Sequence, residues 1–357
     1  MKIADIPGGI LSGFREGSVI PALPLALHED GEFDETSQKA ILRYYFDSGV
    51  GGVAVGVHST QFTIRDFPGF YERVLKLASE VLDRQSEETS REVIKIAGIC
   101  GRAEQAVNEA ALAVGLGFHA GLLSLSDLKG ESEEVLLDHV RRIAELIPII
   151  GFYLQPAVGG MRLSYDFWKT FAGIDNVLAV KIAPFNRYAT LDVLRGVAES
   201  GRASEVSLYT GNDDNIVIDL LTPWRFTGTD GRSRTIRIVG GLLGHWGVWT
   251  SAAVSLFYRL RQMALDGEAL GPEILTLAGE VTDMNGSLFD VANNFAGTIP
   301  GIHEILYRQG LTESPRCLNP DEVLSPGQAG ELDRICRAYP HLTDDDFIKE
   351  HLEAWRK

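Results

Sequence analysis

Short apolar runs and amphipathic helical stretches take turns along most of this chain, and that alternation limits its folds more than any other feature. The run SVIPALPLAL at 18–27 precedes a helical stretch at 34–49. There Asp34 can cap, Ile41, Leu42, Tyr45 and Phe46 share a face, and Gly49 is placed to stop the helix. The pattern predicts further strands at 50–57, 92–100, 119–126, 148–154, 176–182 and 205–211. Helices are expected at 70–83, 102–117, 132–146, 164–174, 189–200 and 213–221. The segment HWGVWTSAA at 245–253 supplies the expected eighth strand.

Continuous apolar strands between amphipathic helices imply a parallel sheet covered on its outer face. Eight such units close an α/β (β/α)8 TIM barrel. A doubly wound sheet is the rival, but no G-x-G-x-x-G follows the first strand. The segment 223–241, with its Asp230-Gly231 turn, reads as a hairpin inserted before strand eight. The organisation expected is a barrel over 1–254 and a C-terminal helical extension over 255–357 packed on it, with no linker between them.

The net charge of −16 argues against nucleic-acid binding, which needs clustered Lys and Arg. Three cysteines without C-x-x-C spacing suit reduced thiols. No apolar leader and no run of about 20 apolar residues is seen. A soluble cytoplasmic protein that uses neither nucleic acid nor membrane is the expectation.

One residue breaks the apolar strands in a telling place. Lys181 ends the run NVLAVKI, and Tyr153 ends the preceding run PIIGFYL. Both would lie at the C-terminal ends of barrel strands, where barrel active sites are built. Alternation puts Ala179 and Val177 on the face of Lys181, and Gly151 and Ile149 on that of Tyr153. A lysine there can attack a carbonyl carbon and form a Schiff base, provided burial keeps it neutral part of the time. A phenol nearby can move the protons that imine formation requires. The plainer alternative is a lysine reaching out to solvent and a tyrosine serving the core.

The order GFYLQPAVGG (151–160), NVLAVKIA (176–183) and LYTGNDD (208–214) resembles the dihydrodipicolinate synthase and N-acetylneuraminate lyase family. So does the opening from PALPLALHEDGEFD to GVGGVAVGV. The resemblance implies the same barrel with a helical extension, class I aldolase chemistry on 2-oxo acids, and a homo-oligomer, dimer or tetramer. It implies Lys181 as the Schiff-base lysine and Tyr153 as the phenol of a Y-x-x-P motif, with Pro156 in register. Gly211, Asn212 and Asp213 match a strand-seven S-G-D-D motif. No cofactor and no metal is implied.

The departures concern the carboxylate clamp. The family's G-T-T-G-E motif aligns with GVHSTQF, so Val57 and His58 replace two threonines, and Ser59 and Thr60 offer shifted hydroxyls. Val158 stands where the synthase has an arginine, and Leu128 and Lys129 stand near its strand-four tyrosine pair. These changes argue against lysine biosynthesis. His58, as a neutral imidazole, could be acid or base, or could merely cap a loop. Asp213 and Asp214 read as helix caps, and Gly211 as a place where backbone nears substrate. Trp246 and Trp249 are either core or pocket wall.

The expected activity is a Schiff-base lyase or aldolase acting through Lys181 on a 2-oxo acid or sugar-acid-like carbonyl compound, with Tyr153 as proton shuttle. His58, Ser59, Thr60, Gly211 and Asn212 are the candidate substrate-binding residues. The alternatives are a dehydratase on the same imine, a barrel that only binds a small molecule, and a metal-assisted hydrolase using His28, His58 and His245.

Overall fold

The short apolar runs pair in parallel because each is buried on both faces, one towards the barrel axis and one towards a helix. A computed structural model describes residues 1–228, 231–267 and 269–357. Its strands are β1 (Val19–Pro21), β2 (Gly52–Val55), β3 (Ile94–Ile99), β4 (Ala120–Leu123), β5 (Ile149–Leu154), β6 (Val177–Ala183) and β7 (Ser207–Thr210). Then follow β8 (Trp224–Thr227), β9 (Ser233–Ile236) and β10 (Gly240–Leu243). All but β8 and β9 form one sheet in the order β1-β10-β7-β6-β5-β4-β3-β2, and a parallel bridge between Ala22 and Ala54 joins its ends. The fold is a (β/α)8 TIM barrel.

The surrounding helices are α1 (Gly8–Glu16), α2 (Glu35–Asp47), α3 (Phe70–Thr89), α4 (Ala103–Gly115), α5 (Glu133–Ala144), α6 (Tyr165–Ala172), α7 (Arg187–Glu199) and α8 (Ile216–Leu221). α9 (Thr250–Asp266) follows β10, packs on α8 and β1, and is the barrel's eighth helix; the C-terminal extension adds α10 (Pro272–Leu288), α11 (Thr298–Arg308), α12 (Gln328–Ala338) and α13 (Asp345–Trp355). Local chemistry sets several starts. Side chains of Asp34, Ser132, Ser164 and Asn186 accept from the backbone N–H three residues on. Each such cap stabilises its helix by about 1 kcal/mol. No described helix is long and apolar enough to cross a membrane.

Two features close the barrel's ends. At the N-terminal end, Ile6, Ile10 and Phe14 join the interior cluster that contains Ile20, Ile94 and Tyr209. The Tyr209 hydroxyl donates to the Phe14 carbonyl at 2.6 Å, and the two rings stack 4.6 Å apart. At the other end, Phe289, Phe295 and Thr298 of the extension reach over the barrel mouth.

The expected eighth strand is corrected. Residues 245–247 form a 3-10 turn and Thr250 opens α9, while the strand itself is Gly240–Leu243. Two glycines hide it from a β-propensity reading, and crowding explains them. A Cβ on Gly240 would meet Ser18 O at 2.5 Å and Ser18 N at 2.7 Å, and one on Gly241 would strike the Trp246 ring at 2.5 Å. Trp246 and Trp249 are accordingly buried core. The inserted hairpin is present as the antiparallel pair of β8 and β9, although Asp230 of its turn lies outside the described residues.

Two glycine substitutions should therefore move stability in opposite directions. Gly240→Ala should cost about 1–3 kcal/mol by overpacking. Gly279→Ala, inside α10 with open space around it, should gain about 0.5–1 kcal/mol. Urea unfolding of both variants checks this, and similar shifts for the two would contradict the crowding argument.

Candidate active site

Lys181 is the charged residue in a strand otherwise made of aliphatic side chains, VLAVKIA, and the strand carries it into the barrel. Its Cα pairs in register with Phe152 on β5 and Tyr209 on β7. Nζ lies 4.3 Å from the centre of the Phe152 ring. Gly211 follows β7 and makes room for the amine's stem. A Cβ there would approach Lys181 Cε at 2.7 Å and Lys181 Cγ at 3.0 Å.

A cavity of about 50 Å³ surrounds the amine at the C-terminal mouth. Its polar lining comes from Lys181, Asp213, His58, Ser59, Gln155 and Thr298. Phe152, Leu154, Val57, Val158, Phe185, Phe289 and Phe295 give most of the apolar wall. Room for roughly four water-sized groups suits a small molecule.

The electrostatics follow from burial. Desolvation pulls the Lys181 ammonium well below the ordinary lysine range, and the carboxylate of Asp213 offsets part of that shift. Among the described residues Nζ has no hydrogen-bond or ion-pair partner. Desolvation likewise pushes the Asp213 carboxyl up, against the His245 N–H and the Lys181 charge, with Asp214 adding to the rise. That N–H donates to Asp213 Oδ1 at 2.9 Å. His58 is pulled down to about 4 by burial and then by the Lys181 charge, so its imidazole is neutral near pH 7.

The sequence-predicted residues divide into two groups. Lys181, His58, Ser59 and Gly211 meet at the cavity. Thr60 and Asn212 do not line it. The Thr60 hydroxyl donates to Leu23 O at 2.6 Å and accepts from Gly56 N, so it pins the loop. The Asn212 amide is spent on Asp219, Thr190 and the Phe185 N–H. Leu128 and Lys129 are not part of the lining, whereas Val158 is.

The inward orientation expected of Tyr153 is not found. Ile150, Phe152 and Leu154 belong to the interior cluster, while Ile149 and Tyr153 belong to the outer one. The Tyr153 ring packs 5.0 Å from Trp168 on α6, and its hydroxyl is 3.3 Å from both Leu163 N and Leu163 O. A Cβ on Gly151 would meet Phe171, also on α6. A register irregularity at Ile149/Ile150 accompanies this, and a one-residue change exchanges the two faces of a strand. On β6 the face holds for Ala179, which is interior, but Val177 packs outside.

Two further expectations are corrected. Asp213 is not a helix cap: α8 begins at Ile216 after Asn215, and the Asp213 carboxyl faces the cavity. The three histidines do not converge. His28 sits 3.2 Å from Glu313 and 3.9 Å from Asp34, and the buried His245 ring lies beside Asn285 and Trp249. Sequence reasoning also missed Phe152, Gln155, Phe185, Phe289, Phe295 and Thr298 as cavity residues. None of them had a local signal: the pairing of Phe152 with Lys181 shows only once the strands are in register.

Solved structures share this fold. A Clostridium difficile protein, CdNal, in complex with mannosamine matches with TM-score 0.71 at 16% identity, covering 90% of this chain and 99% of that one. Dihydrodipicolinate synthase from Oceanobacillus iheyensis matches with TM-score 0.70 at 17% identity, covering 92% and 99%. YagE of E. coli K12, a prophage protein belonging to the dihydrodipicolinic acid synthase family, in complex with pyruvate, matches with TM-score 0.71 at 16% identity, covering 91% and 98%. No family model matches the chain, and no curated protein does. The structural neighbours thus include members of the family the sequence resembles, and at these identities the likeness is one of fold.

The lowered lysine basicity has a testable cost in stability. A folded-state value below the unfolded one means that the ammonium destabilises the fold at low pH, and that the cost vanishes above the unfolded value. Lys181→Met should therefore be more stable than the wild type at pH 6, by about 1–3 kcal/mol. The gap should close towards pH 10. Equal differences at both pH values in urea unfolding would contradict the burial of a charge.

Proposed function

We propose that this chain is a lyase of the class I aldolase type, in which Lys181 forms a Schiff base with a small carbonyl compound. One observation carries the reading: a desolvated amine without an acceptor stands in an enclosed cavity at the C-terminal end of a barrel strand. Barrel enzymes place their chemistry at that end. Structural neighbours observed with pyruvate and with mannosamine add support for a small carbonyl compound.

The chemistry follows from the amine. In its neutral form the Nζ lone pair attacks the carbonyl carbon, and loss of water leaves an iminium. That cation draws electrons from the neighbouring carbon, so a carbon–carbon bond one position further can break. His58 and Ser59 open a 3-10 turn, so their N–H groups have no partner within it. Together with the Ser59 hydroxyl they are the groups we assign to the carboxylate of a 2-oxo acid. The neutral His58 ring can accept a hydrogen bond from the same substrate. Val158 supplies no charge where the resembled synthases use arginine, so this site reads a smaller or less charged partner.

Borohydride trapping tests the assignment. Pyruvate, a longer 2-oxo acid and a simple aldehyde are offered in turn with sodium borohydride, and the peptide containing Lys181 is weighed by mass spectrometry. A reduced adduct on Lys181 is expected with at least one of them, absent in Lys181→Met and retained in Tyr153→Phe. No adduct with any of the three would overturn the reading.

A further inference from the structure

We propose that Asp213 is the catalytic acid–base group of this site, the carboxyl that carries protons to and from the adduct on Lys181. The inference rests on the imine reading above and adds the residue that makes it work.

Imine chemistry needs a proton carrier inside the cavity, and the phenol at Tyr153 is on the wrong face of β5 with Leu163 as its partner. Of the cavity's polar groups, Ser59, Gln155 and Thr298 do not ionise in the useful range. His58 is held neutral and is a weak base there. Asp213 remains. It lies past Gly211 at the end of β7, only 5% exposed, and lines the same cavity as the amine.

Its carboxyl is anchored at one oxygen and available at the other. Oδ1 accepts from the His245 N–H, while Oδ2 has no hydrogen-bond partner among the described residues. It is neither a helix cap nor within ion-pair distance of Lys181. The titratable groups around it are Lys181 from β6, His58 of the same cavity lining from the loop after β2, and its neighbour Asp214, while His245 offers only its backbone N–H. Burial raises the Asp213 carboxyl and lowers the Lys181 ammonium, so their values approach one another. That narrows the gap between the ammonium–carboxylate pair and the form with a neutral amine beside a neutral acid, so a proton can move between the two groups at little cost.

The proton balance closes with this one group. Nζ bonds to the carbonyl carbon, the C=O electron pair moves to oxygen, and a proton passes from nitrogen to that oxygen. The neutral Asp213 carboxyl then gives its proton to the resulting hydroxyl, which leaves as water. What remains is an iminium on Lys181 beside a carboxylate on Asp213. That carboxylate next removes a proton from the carbon adjacent to the iminium, and the C–H pair forms the enamine double bond. Reversal of the same transfers releases the product.

Proton exchange at the methyl group of pyruvate in D2O, followed by NMR alongside borohydride trapping, tests the role. Asp213→Asn should slow methyl exchange by about 100-fold or more. Asp213→Glu should restore part of it, and the wild-type pH profile should contain a limb that the Asn variant lacks. If the wild type traps pyruvate while Asp213→Asn exchanges within about threefold of it, the role of Asp213 is overturned and the imine stands. If the wild type neither traps pyruvate nor exchanges its protons, the role falls together with the imine on this probe.

Discussion

Holding a lysine amine away from water at the barrel mouth is the constraint around which this structure is arranged. An ammonium in a low-dielectric site is costly unless a counter-charge meets it closely. A tight carboxylate partner would remove the cost but would also lock the proton on nitrogen. This chain takes a middle course. Gly211 lets the stem pass, the Phe152 face offers weak cation–π compensation, and Asp213 stands outside ion-pair distance. The amine is left solvated poorly enough to shed its proton.

The surroundings of the lysine depart from the pattern of the family the sequence resembles. Thr60 keeps a hydroxyl in the loop after β2, yet that hydroxyl is used to tie the loop to Leu23. Val158 gives the wall a branched apolar side chain, and four phenylalanines join it. The lysine at the end of β6 thus stands among partners that differ from those the resemblance implies. Fold likeness at 16–17% identity therefore speaks to the scaffold, and function has to be argued from the site itself.

Much of the fold was legible in the sequence, because each helix carries its own amphipathic face and often its own cap. Lys181 was legible because its charge stands near the C-terminal end of an aliphatic run, whereas Lys95, near the start of β3, is buried with Asp83 as its partner. The inward face of β5 was not, since Ile149, Gly151 and Tyr153 are as apolar as Ile150, Phe152 and Leu154, and a strand buried on both sides has no alternation to read. Strand β10 was hidden because Gly240 and Gly241 answer to backbone crowding rather than to β-propensity. Asp213 sat among so many capping residues in TGNDDN that its carboxyl looked spent. Phe289 and Phe295 reach the cavity from far along the chain, and no local pattern announces a contact of that range.

The cover formed by Phe289, Phe295 and Thr298 has a consequence for biosynthesis. All eight barrel strands leave the ribosome before those residues do. Until the extension folds back, the mouth lacks the part of its wall that these three residues supply. The surroundings that desolvate Lys181 are thus completed only by residues beyond 288, late in synthesis.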